Sequence, residues 1–139
     1  MGRRWLLLAA AVALWGCGGS GESPSAAAPG PGAPSVGGFA AIEAEILVPR
    51  CSAVGCHGGA RPAGQLDLSA GRSHGELVGV ASARRPERLL VAPGNPDGSY
   101  LLERLAPGGD TPLMPLGAPR LSEEELERLR EWIREGAHP

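Results

Sequence analysis

Cys51-Ser52-Ala53-Val54-Gly55-Cys56-His57 is the stretch on which the fold of this chain turns. Four residues, Ser52 to Gly55, separate two thiols, and an imidazole follows the second thiol directly. Upstream, Phe39, Ile42 and Ile46 recur at helical spacing and Leu47 widens the stripe, which predicts a helix leading into the loop. Pro49 is expected to stop that helix near Val48. Downstream, Gly58-Gly59-Ala60-Arg61-Pro62-Ala63-Gly64 reads as a loop whose missing side chains let backbone approach a flat ring closely.

Further along, Gln65 to Ser69 alternates weakly and reads as a short extended piece, while Gly75 to Val80 fits a short helix or a strand. Arg84, Arg85 and Arg88 cluster around Pro86 and read as a solvated loop. Pro93 to Gly98 is turn chemistry, after which Asp97 or Ser99 can cap a helix through Leu105 that offers Leu101, Leu102 and Leu105 to a core. Pro107 to Pro112 breaks that helix, and a loop carries Leu113-Met114-Pro115-Leu116-Gly117. The last helix has the fullest signature. Ser122 and Glu125 form a capping box, Leu121 can staple onto Leu126, and Gly136 closes the end. Leu126, Leu129 and Ile133 share a face flanked by Trp132, and three leading glutamates suit the positive end of the helix dipole.

The chain has 139 residues, and its start reads as an address. Arg3 and Arg4 precede an apolar run from Trp5 to Trp15 that is too short to span a bilayer. Leu14-Trp15-Gly16-Cys17 resembles a bacterial lipobox, so residues 1–16 are expected to be a lipoprotein signal peptide and Cys17 the lipidated residue. Gly18 is not the aspartate associated with inner-membrane retention, which favours an outer-membrane place in the cell envelope. Residues 17–38 are Cys17 followed by Gly, Ser, Ala and Pro with Val36 and one charge, Glu22, and read as a flexible tether with a reach of roughly 25 Å. Residues 39–139 then form one small domain. All thirteen basic residues are arginine and the formal net charge is −2, which leaves no nucleic-acid footprint.

That domain carries 13 glycines and 10 prolines, and its aromatics are Phe39, Tyr100 and Trp132. A domain of this size buries only about 60 to 65% of its unfolded surface even when well stocked with large side chains. A tethered porphyrin would supply the missing apolar mass. Two close thiols followed by histidine are what a protein uses to bond both vinyl groups of a haem and ligate its iron. The usual spacing is Cys-x-x-Cys-His, and Gly55 gives the longer loop here its slack. With Cys17 lipidated, Cys51 and Cys56 are the remaining thiols in an oxidising compartment, where an idle pair becomes a disulfide. For the second face of the iron, Met114 lies in a Pro- and Gly-punctuated loop. His74 is the reserve candidate, and His138, beside the C-terminus, is expected at the surface.

An N-terminal helix, the Cys/Cys/His loop, a Met-Pro loop and a final helix ending Glu-Trp-Ile-Arg-Glu-Gly-Ala together resemble a small monohaem cytochrome c domain of bacterial lipoproteins. The resemblance covers Phe39 to Ala137. It implies an all-α fold of short helices and loops around one covalent haem c, with first and last helices crossing. It further implies Cys51 and Cys56 as thioether anchors, His57 as proximal ligand and Met114 as distal ligand. The function so implied is outer-sphere electron transfer between redox protein partners, without catalysis and without a small-molecule substrate. The histidine's other ring nitrogen should then donate to a carbonyl near Gly58 to Pro62.

Other readings of the same residues stand beside it. A haem-free structural lipoprotein with a Cys51–Cys56 disulfide predicts a colourless protein with no need for Met114. Zinc or copper held by Cys51, Cys56, His57 and His74 is disfavoured because adjacent Cys56 and His57 fit a tetrahedral site poorly. A haem with an open distal face would make a gas sensor or small peroxidase, but no distal acid-base pair stands in the sequence.

Overall fold

Helical structure begins with α1 (Gly38–Ile42), widens into a π-helical turn (Glu43–Leu47) and tightens again as α2 (Val48–Cys51). The Val48 amide donates to Glu43 O, five residues back. Pro49 lacks an N–H and crowds the carbonyl one turn behind it, and a wider turn relieves both problems. The helix therefore continues through Pro49 to Cys51 instead of stopping near Val48. Phe39, Ile42, Ile46 and Leu47 are all buried, as their spacing requires.

This computed structural model describes residues 38–108 and 112–139, all of which belong to one compact unit. The expected signal peptide, Cys17 and the tether up to residue 37 lie outside the described residues. Beyond α2 come a 3-10 turn (Ala63–Gln65), α3 (Ser73–Leu77), α4 (Tyr100–Leu105) and α5 (Glu123–Arg134). Residues 78–81 and 89–91 meet only through isolated bridges, Val78 with Val91 and Ala81 with Leu89. Among the described residues there is no β-sheet, and the all-α architecture of short helices and loops stands. Gly75 to Val80 resolves into the end of α3 followed by one side of this bridge, while Gln65 to Ser69 forms no strand.

The last helix is held at both ends. Ser122 Oγ accepts from the Glu125 amide at 3.1 Å and Glu125 Oε2 accepts from the Ser122 amide at 2.7 Å, so the capping box is complete. Gly136, at φ +106°, turns the chain out of the helix. Between these ends Leu126, Leu129, Trp132 and Ile133 are buried, and each large aliphatic contributes about 1.5–3 kcal/mol on burial. The Trp132 ring lies 5.0 Å from that of Phe39, which joins α5 to α1. Trp132 Nε1 donates to His138 O at 2.8 Å, so the indole is both buried and satisfied.

Polar ties join the first helical stretch to the last helix and to the loop before it. Arg50 donates to Pro119 O and Arg120 O at 3.0 and 2.7 Å, and Arg128 pairs with Glu45 at 2.8 Å. At α4, Ser99 occupies the N-cap position without capping the helix through its side chain. Its hydroxyl instead accepts from the Ala92 amide and donates to Asn95 O, which closes the preceding turn.

Candidate functional site

The cysteine loop leaves α2 and folds back on itself. His57 N donates to Cys51 O and Cys56 N to Ala53 O, both at 2.9 Å. The return brings Gly58 so close to Ser52 that a Cβ on Gly58 would lie 1.9 Å from Ser52 O. Two further bonds tie the loop to the chain beyond it, from Ala63 N to Cys56 O and from Leu68 N to His57 O, each at 2.7 Å. His57 Nδ1 sits 3.0 Å from Ala63 O, one residue past the loop in which its partner was expected.

This folding puts part of the loop on the wall of a chamber of about 410 Å³. Leu66, Leu68, Leu90, Leu101, Leu105 and Met114 supply its apolar lining, and Cys51, His57, Ser82, Tyr100, Arg84 and Arg104 its polar points. Each part follows from its element. The return of the loop through Leu68 sets the first two leucines, while α4 presents Leu101, Arg104 and Leu105 from one side of a short helix. Met114 N donates to Arg104 O at 2.7 Å, which pins the methionine loop against α4. The Met114–Pro115 peptide is cis.

Cys51 and Cys56 are both free thiols, but their settings differ. Cys51 is half-buried on the chamber, where burial pushes its thiol up to about 11, partly offset by the neighbouring Arg50 guanidinium. Cys56 is exposed and does not line the chamber. His74 stands elsewhere: its Nε2 meets Ala137 O at 2.8 Å and its ring packs edge-on to Phe39. His138 is exposed, as expected.

The expectation of covalent haem c, with iron binding and electron transfer, is corrected by this geometry. Among the described residues no group of three or more His, Cys, Asp or Glu side chains is placed to hold a metal ion. The physical reason lies in the loop. Cys51 and His57 reach the chamber but Cys56 does not, so two thioether bonds to one ring are not prepared. Met114 does reach the chamber, as part of its apolar wall beside the core. The zinc or copper site and the open-faced haem fall on the same ground.

Of the two charged residues on the chamber, Arg104 was not singled out in the sequence and Arg84 was given no place at a site. Arg104 is buried at 8% exposure in a helix whose neighbours Leu101, Leu102 and Leu105 are apolar, and a lone arginine on that buried face was the available signal. Arg84 was read as part of a solvated loop. It is exposed and borders the chamber.

Fold and site together define a small all-α domain with a half-enclosed apolar chamber bordered by cationic side chains. Compared with family models, curated proteins and solved structures, the chain shows no match.

Proposed function

We propose that this chain is a haem-free lipoprotein of the bacterial cell envelope, anchored through lipid on Cys17, whose folded region is a binding module for a small apolar molecule. The chamber carries the reading. Its volume of about 410 Å³ falls within the ~300–1,000 Å³ typical of small-molecule sites, and its walls are mostly aliphatic with a few placed polar groups. A domain rich in glycine and proline gains stability when a ligand covers such walls, since each buried methylene is worth about 0.8 kcal/mol.

In this reading Cys51 and Cys56 become a structural disulfide in the oxidising envelope. Their loop is already closed by the His57 to Cys51 hydrogen bond, and Cys56 is near enough to contribute to the raising of the Cys51 thiol. Oxidation removes one proton and one electron from each thiol, and a disulfide-bearing oxidant takes up the two protons and two electrons to become two thiols. The resemblance to small cytochrome c domains is kept as a proposal about the frame alone. Its support is that a Cys/Cys/His loop follows the first helix, a methionine loop precedes the last, and α1 packs on α5.

The test uses the full chain with Cys17→Ser, recovered from the envelope without detergent. The purified protein should be colourless, with a mass two hydrogens below that of its reduced form. It should also shift the emission of the neutral polarity probe prodan to the blue. A visible absorption band that survives denaturation would show bound pigment and overturn the haem-free reading. Prodan emission that stays at its value in water would overturn the binding module.

A further inference from the structure

One buried hydroxyl on the chamber wall has no acceptor for its hydrogen. Ser73, Ser82 and Ser99 are the buried serines among the described residues, at 2% exposure or less. Two of them use their hydrogens within the chain: Ser73 Oγ donates to Ser69 O at 3.3 Å and Ser99 Oγ to Asn95 O at 2.8 Å. Ser82 differs. Its Oγ accepts from the Arg84 and Arg85 amides, both at 3.2 Å, which closes the turn ahead of Pro86. A hydroxyl has two accepting lone pairs and one donating hydrogen. The two amides occupy the lone pairs, and among the described residues no acceptor meets the hydrogen. Ser82 is further fixed by its own amide, which donates to Arg88 O at 2.8 Å. A buried donor left without an acceptor is costly, and Ser82 lines the chamber, so the natural place for that acceptor is on the molecule inside it.

The other polar groups on the wall leave this role to Ser82. Arg84, Arg104 and Tyr100 each already have a partner within the chain. His57 Nδ1 donates to Ala63 O, so the second nitrogen of the neutral ring is an acceptor. The Cys51 thiol, kept neutral by burial, is a weak donor. A charged ligand would give up its hydration against six apolar side chains with one neutral hydroxyl to meet it, which disfavours ions.

Resting on the binding-module reading, we propose that the chamber takes an uncharged, mostly apolar ketone or ester, whose carbonyl oxygen accepts from Ser82 Oγ while Leu66, Leu68, Leu90, Leu101, Leu105 and Met114 cover the rest. Ser82 is then the residue that orients the ligand and separates it from a plain hydrocarbon of the same shape.

The test is displacement of prodan from the full Cys17→Ser chain by 2-acetylnaphthalene and by 2-isopropylnaphthalene, which match in shape and differ in the carbonyl. Ser82→Ala should raise the ketone's displacement midpoint relative to the hydrocarbon's by about five- to tenfold, the worth of one neutral hydrogen bond. Taking the ratio within each protein cancels any change in the affinity of prodan itself. The infrared carbonyl stretch of bound 2-acetylnaphthalene should lie below its value in hexane, and should return toward that value in Ser82→Ala. A merely structural role for Ser82 would not move it.

A wild-type carbonyl stretch equal to that in hexane would overturn the assignment by itself, whether or not Ser82→Ala folds. So would a Ser82→Ala chain, its helix content verified by circular dichroism, that weakens ketone and hydrocarbon alike or weakens neither. A stretch that stays lowered in that variant would place the donor on another group. Failure of both naphthalenes to displace bound prodan would overturn the ligand class and leave the binding module standing. Prodan that never binds would instead sink the module itself, and a coloured protein the haem-free reading.

Discussion

Gly58→Ala is the sharpest probe of the cysteine loop, because the return of the chain past Ser52 leaves no room for even one methyl group. The added Cβ would stand 1.9 Å from Ser52 O and 2.7 Å from Ser52 C, both backbone atoms that cannot swing aside. Relief requires one strand of the loop to move by more than an ångström. That shift would stretch the His57 to Cys51 bond and the bonds at Ala63 and Leu68 that hold the loop to the chamber wall. Overpacking alone costs about 1–3 kcal/mol, and losing one of these hydrogen bonds adds roughly 1 kcal/mol. A total of about 2–4 kcal/mol should lower the Tm by on the order of 10–20 °C in a domain of this size. Thermal unfolding followed by far-ultraviolet circular dichroism measures it directly. The control is Gly55→Ala: nothing lies within 4 Å of its Cβ, and its cost comes from φ +88° alone. If Gly58→Ala proves no more harmful than Gly55→Ala, the close return of the loop is wrong, and with it the placing of Cys51 and His57 on one chamber.

Three other outcomes are expected. Ser122→Ala removes one half of the capping box and should cost about 1 kcal/mol, read as a lower urea midpoint with an unchanged m-value. Reducing the proposed disulfide reopens a six-residue loop and should lower stability at pH 7 by about 2 kcal/mol, seen as a difference in urea midpoint with and without reductant. In the reduced protein the Cys51 thiol is raised on folding, so the stability it protects is full below about pH 9 and lost as pH climbs toward about 11. The reduced wild type should therefore lose about 2–3 kcal/mol more over that interval than Cys51→Ala, and a parallel decline in the two would count against burial of this thiol.

Helices carried by side-chain spacing were legible in the sequence, and the loops between them were not. The stripe of Phe39, Ile42, Ile46 and Leu47 and the capped face of α5 declare themselves because one periodicity fixes both conformation and burial. Pro49 misled, since a proline stops a helix only when the turn before it cannot widen, and the π turn at Glu43–Leu47 does widen. Ser99 also misled: its hydroxyl has two competing backbone partners in the turn before α4, and local sequence does not say which bond wins. The site was legible in its members but not in its directions. Cys51, His57 and Met114 do share a chamber, yet Cys56, a few residues from the first of them, does not line it. A motif gives spacing along the chain, while chemistry at a site needs the side chains to converge. Arg104 shows the converse, a residue with no motif that the folding of α4 carries to the chamber.

The chamber links binding to stability in a way that can be measured without knowing the natural ligand. A domain with this little aromatic mass leaves Leu66, Leu90 and Met114 only partly buried against the core, so apolar wall that a larger domain would cover still faces the chamber. A molecule that binds there binds the folded state alone, because the loop, α4 and the methionine segment come together only on folding. At one hundred times its dissociation constant, such a ligand stabilises the fold by about 2.7 kcal/mol, and the Tm should rise by on the order of 10 °C. Prodan should produce that rise in the wild type, and Ala83→Trp, which places an indole at the chamber border, should blunt it. A melting temperature indifferent to prodan at concentrations that saturate its blue-shifted emission would place the probe outside the chamber, and the chamber would then be a packing defect of a small domain instead of its purpose.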